Sequence, residues 1–253
     1  MNDILTKMKQ MKFFGMAKAF HQTIESGKNE KFTADEMITH LIDSEWDERY
    51  DRKLDRTVQA ARFRYKASVE QITFENSRVD KNQVLRLADC DFIKRKESII
   101  ITGSTGIGKS FIASAIGHQA CSLGYRVLYQ HSTKLFGRMK LAKADGSYLK
   151  ELAKIEKQHV LLIDDFGIQP LDAQSRSILM EIIEDRHGKS STIITSQVPV
   201  SMWHEIIGEQ TIADAILDRI VHDSHRIEMK GESLRKKRQP KNEEEIVLEN
   251  LKN

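Results

Sequence analysis

The spacing of apolar residues divides the chain into two regions that meet near residue 97. Before that point, apolar residues recur every three or four positions, which is typical of amphipathic helices, and no convincing strand pattern occurs. The first such set is interrupted at Gly27 and comprises Ile4, Leu5, Met8, Met11, Ala17, Phe20 and Ile24. The pattern therefore predicts a helical N-terminal region.

Two helix starts can be recognised within this region. Thr33-Ala34-Asp35-Glu36 is a capping box, in which the side chains of Thr33 and Glu36 satisfy free backbone N–H groups. The helix that it opens is predicted to continue towards Ala61. Its many charges of both signs are more typical of a solvated face than of a binding site. Asp80 marks another predicted helix start.

Between these helices, basic and aromatic residues alternate. Arg62, Arg64 and Lys66 are interleaved with Phe63 and Tyr65. Such an arrangement can contact phosphates through the cations and bases through the rings, as in proteins that bind single-stranded nucleic acid. The alternative interpretation is a packed helix end. The sequence leaves both open.

From Ile99 onwards, short apolar runs alternate with helical patterns. Strands are predicted at 98–102, 126–130, 159–164, 191–196 and 225–229. Helices are predicted at 109–122, 132–143, 147–157, 173–187 and 211–222. This alternation is typical of a parallel sheet covered by helices on both faces.

A complete phosphate-binding loop joins the first predicted strand to the first helix of this region. It consists of Gly103, Ser104, Thr105, Gly106, Ile107, Gly108, Lys109 and Ser110. The glycines allow backbone N–H groups to face an anion at a helix N-terminus. Lys109 would reach the β- and γ-phosphates of a nucleotide, and the Ser110 hydroxyl would bind Mg²⁺. We include the next residue, Phe111, in the predicted nucleotide-binding stretch.

Acidic and amide side chains follow two later strands. Val160 to Ile163 is an apolar run that ends in Asp164 and Asp165. Asp164 would bind Mg²⁺ directly or through water, and Asp165 would orient or deprotonate the attacking water. The alternative is a buried strand with a solvated carboxyl end. After the next strand, the amide of Gln197 could position the same water, although this signal is weak in isolation.

The amino-acid composition does not indicate a binding partner, but it does indicate the cellular compartment. A net charge of +3 over 253 residues is too small to indicate a polyanion partner, for which clustering on one face matters. The two cysteines, Cys90 and Cys121, lack metal-ligand spacing, which favours a reducing cytoplasm. No apolar run of 18 residues and no signal-peptide pattern occurs, so we expect neither membrane insertion nor export.

Taken in order, these motifs resemble the AAA+ ATPases of the IstB type. Those proteins are helpers of insertion-sequence transposition and are related to the DnaC and DnaI helicase loaders. The stretches that carry the resemblance span nearly the whole chain: Gly15 to Ala17, Glu45 to Arg52, Gly103 to Ser110, Leu161 to Gly167, Thr195 to Gln197, Asp218 to Ile220 and Gly231 to Arg235.

The resemblance implies an α/β fold of the P-loop NTPase (AAA+) class, with a parallel sheet sandwiched by helices. It also implies a small all-helical N-terminal domain and no full lid domain. We accordingly expect three parts: residues 1–75, an ATPase domain at 76–240, and an acidic tail at 241–253. ATP and Mg²⁺ are the implied cofactors.

Individual roles also follow from the resemblance. Gln197 resembles the sensor I group, Arg219 an arginine finger presented to the nucleotide of a neighbouring subunit, and Arg235 the sensor II residue. For each arginine the alternative is an ordinary surface ion pair. Asp165 stands where most AAA+ enzymes have glutamate, so its shorter reach is expected to slow hydrolysis.

In the initiator and loader branch of AAA+ proteins, the helix after the second strand faces DNA. In this chain that helix carries basic residues without an intervening acid, namely Lys134, Arg138, Lys140 and Lys143. A second basic cluster follows the last strand and includes Lys236, Lys237 and Arg238 beside Arg235. Either would bind phosphates without regard to sequence. A solvated helix face is the alternative.

The resemblance therefore implies an ATP-hydrolysing regulator that oligomerises on double-stranded DNA and assists a transposase. A replicative helicase loader shares the same motifs and remains an alternative. A small-molecule phosphotransferase would use the same loop but would give Arg219 no role. A DNA-packaging protein that binds ATP without turnover is the fourth possibility.

Overall fold

The N-terminal region forms the helices that its apolar pattern predicts. The computed structural model describes residues 2–27, 32–74, 79–231 and 233. In the first part lie α1 (Asn2–Gln10), α2 (Phe14–Glu25) and α3 (Ala34–Ala61). The apolar set up to Ile24 belongs to two helices, because Lys12 adopts a left-handed conformation with φ of 64° and ends α1.

A buried carboxylate holds α2 against α3. Glu45 of α3 is only 6% exposed, and its Oε2 accepts hydrogen bonds from the backbone N of Gly15 at 2.8 Å and of Met16 at 3.2 Å. These are free N–H groups in the first turn of α2, so Glu45 caps that helix from a distance. Burial raises the pKa of Glu45, but hydrogen bonds from Arg49 and the two amides outweigh it and lower the pKa overall.

The predicted capping box is confirmed at the start of α3. Thr33 donates its backbone N–H to Glu36 Oε2 at 2.8 Å, and Glu36 donates its own to Thr33 Oγ1 at 3.3 Å. Asp80 caps the next helix in the same manner, because its Oδ1 accepts a hydrogen bond from the backbone N of Asn82. Both helix starts could be predicted from the sequence because capping involves residues only two or three positions apart.

The second region has the predicted alternation of strands and helices. The strands are β1 (Ser98–Gly103), β2 (Val127–His131), β3 (Val160–Phe166), β4 (Ser191–Ser196) and β5 (Ser224–Met229). The helices are α4 (Lys81–Ala88), α5 (Asp91–Arg95), α6 (Lys109–Ser122), α7 (Ser132–Asp145), α8 (Tyr148–Glu156), α9 (Ala173–Arg186), α10 (Trp203–Ile207) and α11 (Gln210–Val221), with 3₁₀ turns at Val69–Gln71 and Val200–Met202.

All five strands pair in parallel in the order β2-β3-β4-β1-β5. β4 is buried along its whole length, as expected for a central strand with helices on both faces. Because β4 lies between β1 and β3, the carboxyl ends of these three strands are adjacent. The phosphate loop, the acidic pair and Gln197 therefore meet at one edge of the sheet.

The chain divides into two compact units, Met1–Gln59 and Ala60–Asn253. This boundary precedes residue 75, where the sequence analysis ends the N-terminal domain. The segment after α3 belongs to the second unit because its aromatic side chains pack on α6: the Phe63 ring lies 6.3 Å from the His118 ring, and the Tyr65 ring 6.4 Å from that of Phe111. The expected acidic tail lies outside the described residues.

Among the helices that the structure describes, none is both long and apolar enough to span a membrane.

Candidate nucleotide-binding site

The phosphate loop follows β1 directly and passes close to the end of β5. Gly103 has φ of 148°, and a Cβ atom placed there would lie 2.5 Å from the backbone oxygen of Met229. Any side chain at this position would therefore collide with the neighbouring strand. Gly108, with φ of 105°, immediately precedes the first residue of α6, so the loop opens onto a helix N-terminus as predicted.

Within the loop, two polar side chains are already oriented. Lys109 is 5% exposed, and its Nζ donates a hydrogen bond to the backbone oxygen of Ser104 at 2.8 Å. Thr105 Oγ1 donates to Gln197 Oε1 at 2.5 Å. The second contact connects the loop to the residue after β4 and places the Gln197 amide at the rim of the loop.

Asp164 lies at the centre of a buried polar network at the end of β3. Its side chain is fully buried, with Oδ2 accepting a hydrogen bond from the Tyr129 hydroxyl at 2.6 Å and Oδ1 one from Thr195 Oγ1 at 2.5 Å. Burial and then the bond to Asp164 raise the pKa of Tyr129, so the tyrosine remains a donor. Both contacts fix the orientation of the carboxylate.

Asp165 adopts a backbone conformation that is unusual for a strand residue. Its φ is 57°, and the register between β3 and β4 shifts between Ile163 and Phe166. Backbone bonds hold this bulge: the Asp165 N–H donates to Thr195 Oγ1 at 3.0 Å, and its oxygen accepts from Ser132 Oγ at 2.8 Å. β3 thus continues past the predicted end at residue 164, and the bulge turns the Asp165 side chain towards the loop.

The side chains of Arg64 and His131 face the Asp165 carboxylate. Arg64 Nη1 lies 3.3 Å from Asp165 Oδ2 and 3.8 Å from Asp164 Oδ2, and His131 Nε2 lies 3.5 Å from Asp165 Oδ2. Arg64 was not predicted to lie in this site. No local signal could have shown this, because Arg64 and Asp165 are 101 positions apart in the chain.

Arg64 and Asp165 both line a cleft of about 380 Å³. Its walls comprise the phosphate loop and the start of α6, and in addition Arg64, Tyr65, Gln71, Ile72, Thr73, Asp165, Gln197 and Met229. Five of these residues were not predicted to belong to the nucleotide-binding site, namely Arg64, Tyr65, Gln71, Ile72 and Thr73. The cleft combines the anion-binding loop with an apolar wall, which suits the phosphates and the base of a nucleotide.

The donor set fits Mg²⁺ bound together with phosphate oxygens. Across the described residues, no group of three or more histidine, cysteine, aspartate or glutamate side chains could hold a metal ion alone. Ser110 and Asp164 would supply a hydroxyl and a carboxylate, the ligands that Mg²⁺ uses beside nucleotide phosphates and water.

The model of the family described as IstB-like ATP binding protein matches residues 6–242. The chain belongs to this family. Among its relatives, the insertion sequence ATP-binding protein y4pL of Sinorhizobium fredii is 44% identical over 238 residues, covering 94% of this chain and 97% of that protein. The IS21 ATP-binding protein of Pseudomonas aeruginosa is 28% identical over 242 residues, covering 95% and 91%.

Solved structures confirm the AAA+ fold of this IstB-like chain. The DnaC helicase loader superimposes with a TM-score of 0.54 at 22% identity, covering 66% of this chain and 98% of that one. DnaI superimposes with a TM-score of 0.57 at 21% identity, covering 70% and 94%. At these identities the likeness shows the fold alone, and it agrees with the predicted parallel sheet sandwiched by helices.

Arg219 lies far from the phosphate loop of its own chain. Its Nη2 pairs with Glu184 Oε2 at 2.7 Å, and its Nη1 donates to the Ala215 oxygen at 2.8 Å. It borders a small cleft together with Ser98 and Thr192, which mark the amino ends of β1 and β4. The loop lies at the opposite, carboxyl ends of these strands. The contact with Glu184 is the ion pair that was the alternative to an arginine finger presented to a neighbouring subunit. That role stays a prediction, and Arg235 lies outside the described residues.

On α7 of this IstB-like protein, most predicted DNA-binding residues have intramolecular partners. Arg138 Nε lies 3.4 Å from Glu151 Oε2, Lys140 Nζ 2.5 Å from Asp172 Oδ2, and Lys143 Nζ 4.6 Å from the Tyr148 ring centre.

Lys134 is exposed and has no such contact with another described residue. DNA binding by α7 stays a prediction. The second basic cluster, Lys236, Lys237 and Arg238, lies outside the described residues.

Proposed function

We propose that this protein is an Mg²⁺-dependent ATPase that assembles on double-stranded DNA and assists a transposase. The observation that carries the proposal is the phosphate loop facing Asp164 and Asp165 across β4, in a chain of the IstB-like ATP-binding family. The relatives' names place them in insertion sequences, which supports a role in transposition. We expect the protein to act in the cytoplasm, and its two cysteines are buried free thiols.

In the proposed reaction, the loop amides and Lys109 bind the phosphates of ATP. Ser110 and Asp164 would hold Mg²⁺, which would supply positive charge beside the transferred phosphoryl group. The hydrogen bonds from Tyr129 and Thr195 keep the Asp164 carboxylate in place for this task. Asp165 accepts a proton from the attacking water.

Gln197 is proposed to orient that water from the rim of the loop. Its Oε1 already accepts a hydrogen bond from Thr105, so the side chain is held at the phosphate end of the cleft. An amide at this position adds no negative charge that would repel the phosphate. Turnover is expected to be slow, since Asp165 has a shorter side chain than the glutamate usual in AAA+ enzymes.

Assembly is proposed to complete the site. Arg219 of one subunit would contact the nucleotide of the next, and Arg235 would contact the nucleotide of its own subunit. For this contact, the ion pair between Arg219 and Glu184 would either have to break or serve to position the Arg219 side chain. Contacts with DNA phosphates are proposed for the basic residues of α7, among which exposed Lys134 is immediately available.

Two variants test this proposal. Lys109→Ala should abolish nucleotide binding and nucleotide-dependent assembly on DNA, because it removes the buried cation of the loop. Asp165→Asn should permit assembly but block phosphate release. Electron microscopy with DNA plus ATP or ADP, and steady-state phosphate release with and without DNA, give the two readouts. Normal assembly and normal hydrolysis in both variants would refute the proposed site.

A replicative helicase loader is the second candidate, because the fold is shared with DnaC and DnaI. Purified protein should capture a transposase of an insertion sequence and should not capture a replicative helicase. The opposite result would favour the loader.

A further inference from the structure

The aromatic residues between α3 and the 3₁₀ turn anchor that segment on α6. A Cβ atom at Gly117 would lie 2.7 Å from Cε1 of Phe63, so the Phe63 ring occupies the space above this glycine. The Tyr65 ring packs beside Phe111, and Ala67 is 3% exposed. These contacts agree with the interpretation of a packed helix end, and contact of this segment with nucleic acid stays a prediction.

Arg64 lies between the two anchored rings and extends into the nucleotide cleft. Its guanidinium lies over the Tyr65 ring, 5.4 Å from the ring centre. The same group is 3.3 Å from the Asp165 carboxylate, in a cleft also lined by Thr105, Lys109 and Gln197. Arg64 therefore brings a second cation, besides Lys109, to the phosphate end of the cleft.

The position of Arg64 conflicts with a metal ion held by Asp164. Arg64 Nη1 is 3.8 Å from Asp164 Oδ2, so a Mg²⁺ ion bound by this carboxylate would lie near the guanidinium, and the two positive charges would repel each other. A terminal phosphate beside Mg²⁺ would attract the guanidinium away from the carboxylates. Arginine suits this exchange, since its planar fork can donate two hydrogen bonds to either a carboxylate or a phosphate.

We propose that Arg64 binds the terminal phosphate of ATP from within the same chain and so distinguishes ATP from ADP. This inference rests on the proposed function and deepens it. ADP lacks the group that would draw Arg64 away, so Arg64 contributes to ATP affinity and little to ADP affinity. Its side chain is 42% exposed and is attached to an anchored backbone, which leaves it room to move over this short distance.

The test compares Arg64→Gln with Lys66→Gln. Lys66 lies two positions further along the same segment, is exposed, and is not among the residues that line the cleft. Dissociation constants for a non-hydrolysable ATP analogue and for ADP would be measured by titration calorimetry in excess Mg²⁺. We expect Arg64→Gln to weaken binding of the ATP analogue about ten-fold or more, as for loss of a charge-assisted hydrogen bond. ADP binding should change less than about three-fold, and Lys66→Gln should change neither.

A loss of affinity for both nucleotides to the same degree would overturn the inference, because it would indicate a general structural role. Unchanged or tighter binding of the ATP analogue would overturn it as well. Should Arg64→Gln not fold, as judged by circular dichroism, Arg64→Lys replaces it. That variant keeps the positive charge but lacks the planar guanidinium. The inference then requires a several-fold loss of affinity for the ATP analogue and no such loss for ADP.

The parent protein and Lys109→Ala separate this inference from the proposed function. If the parent binds neither nucleotide, both are overturned. If Lys109→Ala loses both nucleotides while Arg64→Gln behaves like the parent, the proposed site stands and the role of Arg64 is wrong.

Discussion

One hydroxyl, that of Thr195, holds both acidic residues of the site. Thr195 is fully buried in β4, and its Oγ1 donates to Asp164 Oδ1 at 2.5 Å and accepts from the Asp165 N–H at 3.0 Å. Thr195→Val keeps nearly the same shape but has no hydroxyl. The variant therefore leaves a carboxylate oxygen and a backbone N–H without this partner.

The cost of Thr195→Val can be estimated from these two groups. A buried polar group without its partner costs about 1–3 kcal/mol, and more when it is charged, so the two groups together cost about 2–6 kcal/mol. Each kcal/mol lost from the free energy of unfolding lowers the melting temperature of a domain of this size by about 2–4 °C. We therefore expect the melting temperature to decrease by roughly 4–24 °C.

Thermal unfolding followed by circular dichroism measures this shift. Thr195→Ser is the matched control, because it keeps the hydroxyl and loses one methyl group, at a cost of about 1 kcal/mol. The valine variant should melt well below the serine variant. If it melted at the same temperature or higher, the hydroxyl would not be holding the two acids, and the reasoning would be refuted.

Three further predictions concern other parts of the chain. The pKa of Glu45 is lower in the folded protein than its unfolded value of 4.5. The contribution of Glu45 to stability should therefore be present above pH 4.5 and should be lost as the pH falls through the folded pKa. Glu45→Gln should reduce this dependence of the melting temperature on acid pH. Arg186→Met should lower the free energy of unfolding by about 2–4 kcal/mol in urea titrations, because Arg186 is 2% exposed and donates to the backbone oxygens of three residues. Lys134→Gln should weaken DNA binding and reduce its salt dependence by about one counterion, whereas Lys140→Gln, which loses the contact with Asp172, should affect DNA binding less.

Local patterns were sufficient to predict most of the second unit. Each strand and helix predicted there is present, with ends displaced by at most two residues. Strands and helices are specified by the spacing of apolar residues over about ten positions, and caps such as Thr33 with Glu36 depend on neighbours three positions apart. The phosphate loop could also be predicted because its pattern is local: its glycines and Lys109 lie within eight consecutive residues.

Contacts between distant segments could not be predicted in this manner. The capping of α2 by Glu45 links residues 30 positions apart in the chain. The bulge at Asp165 depends on a hydroxyl of the adjacent strand, so the apolar pattern of β3 alone did not reveal it.

Arg64 shows this difference most clearly. Its neighbours in the sequence indicated either nucleic-acid contact or a packed helix end, and both interpretations considered only the segment itself. Packing of Phe63 and Tyr65 on α6 is what directs the Arg64 guanidinium to Asp165, 101 positions away. Apolar periodicity thus specified the strands and helices of this protein, and a contiguous motif specified its phosphate loop. The contact of Arg64 with Asp164 and Asp165 was specified only by side-chain packing between elements. That packing exists only once the sheet and α6 have formed.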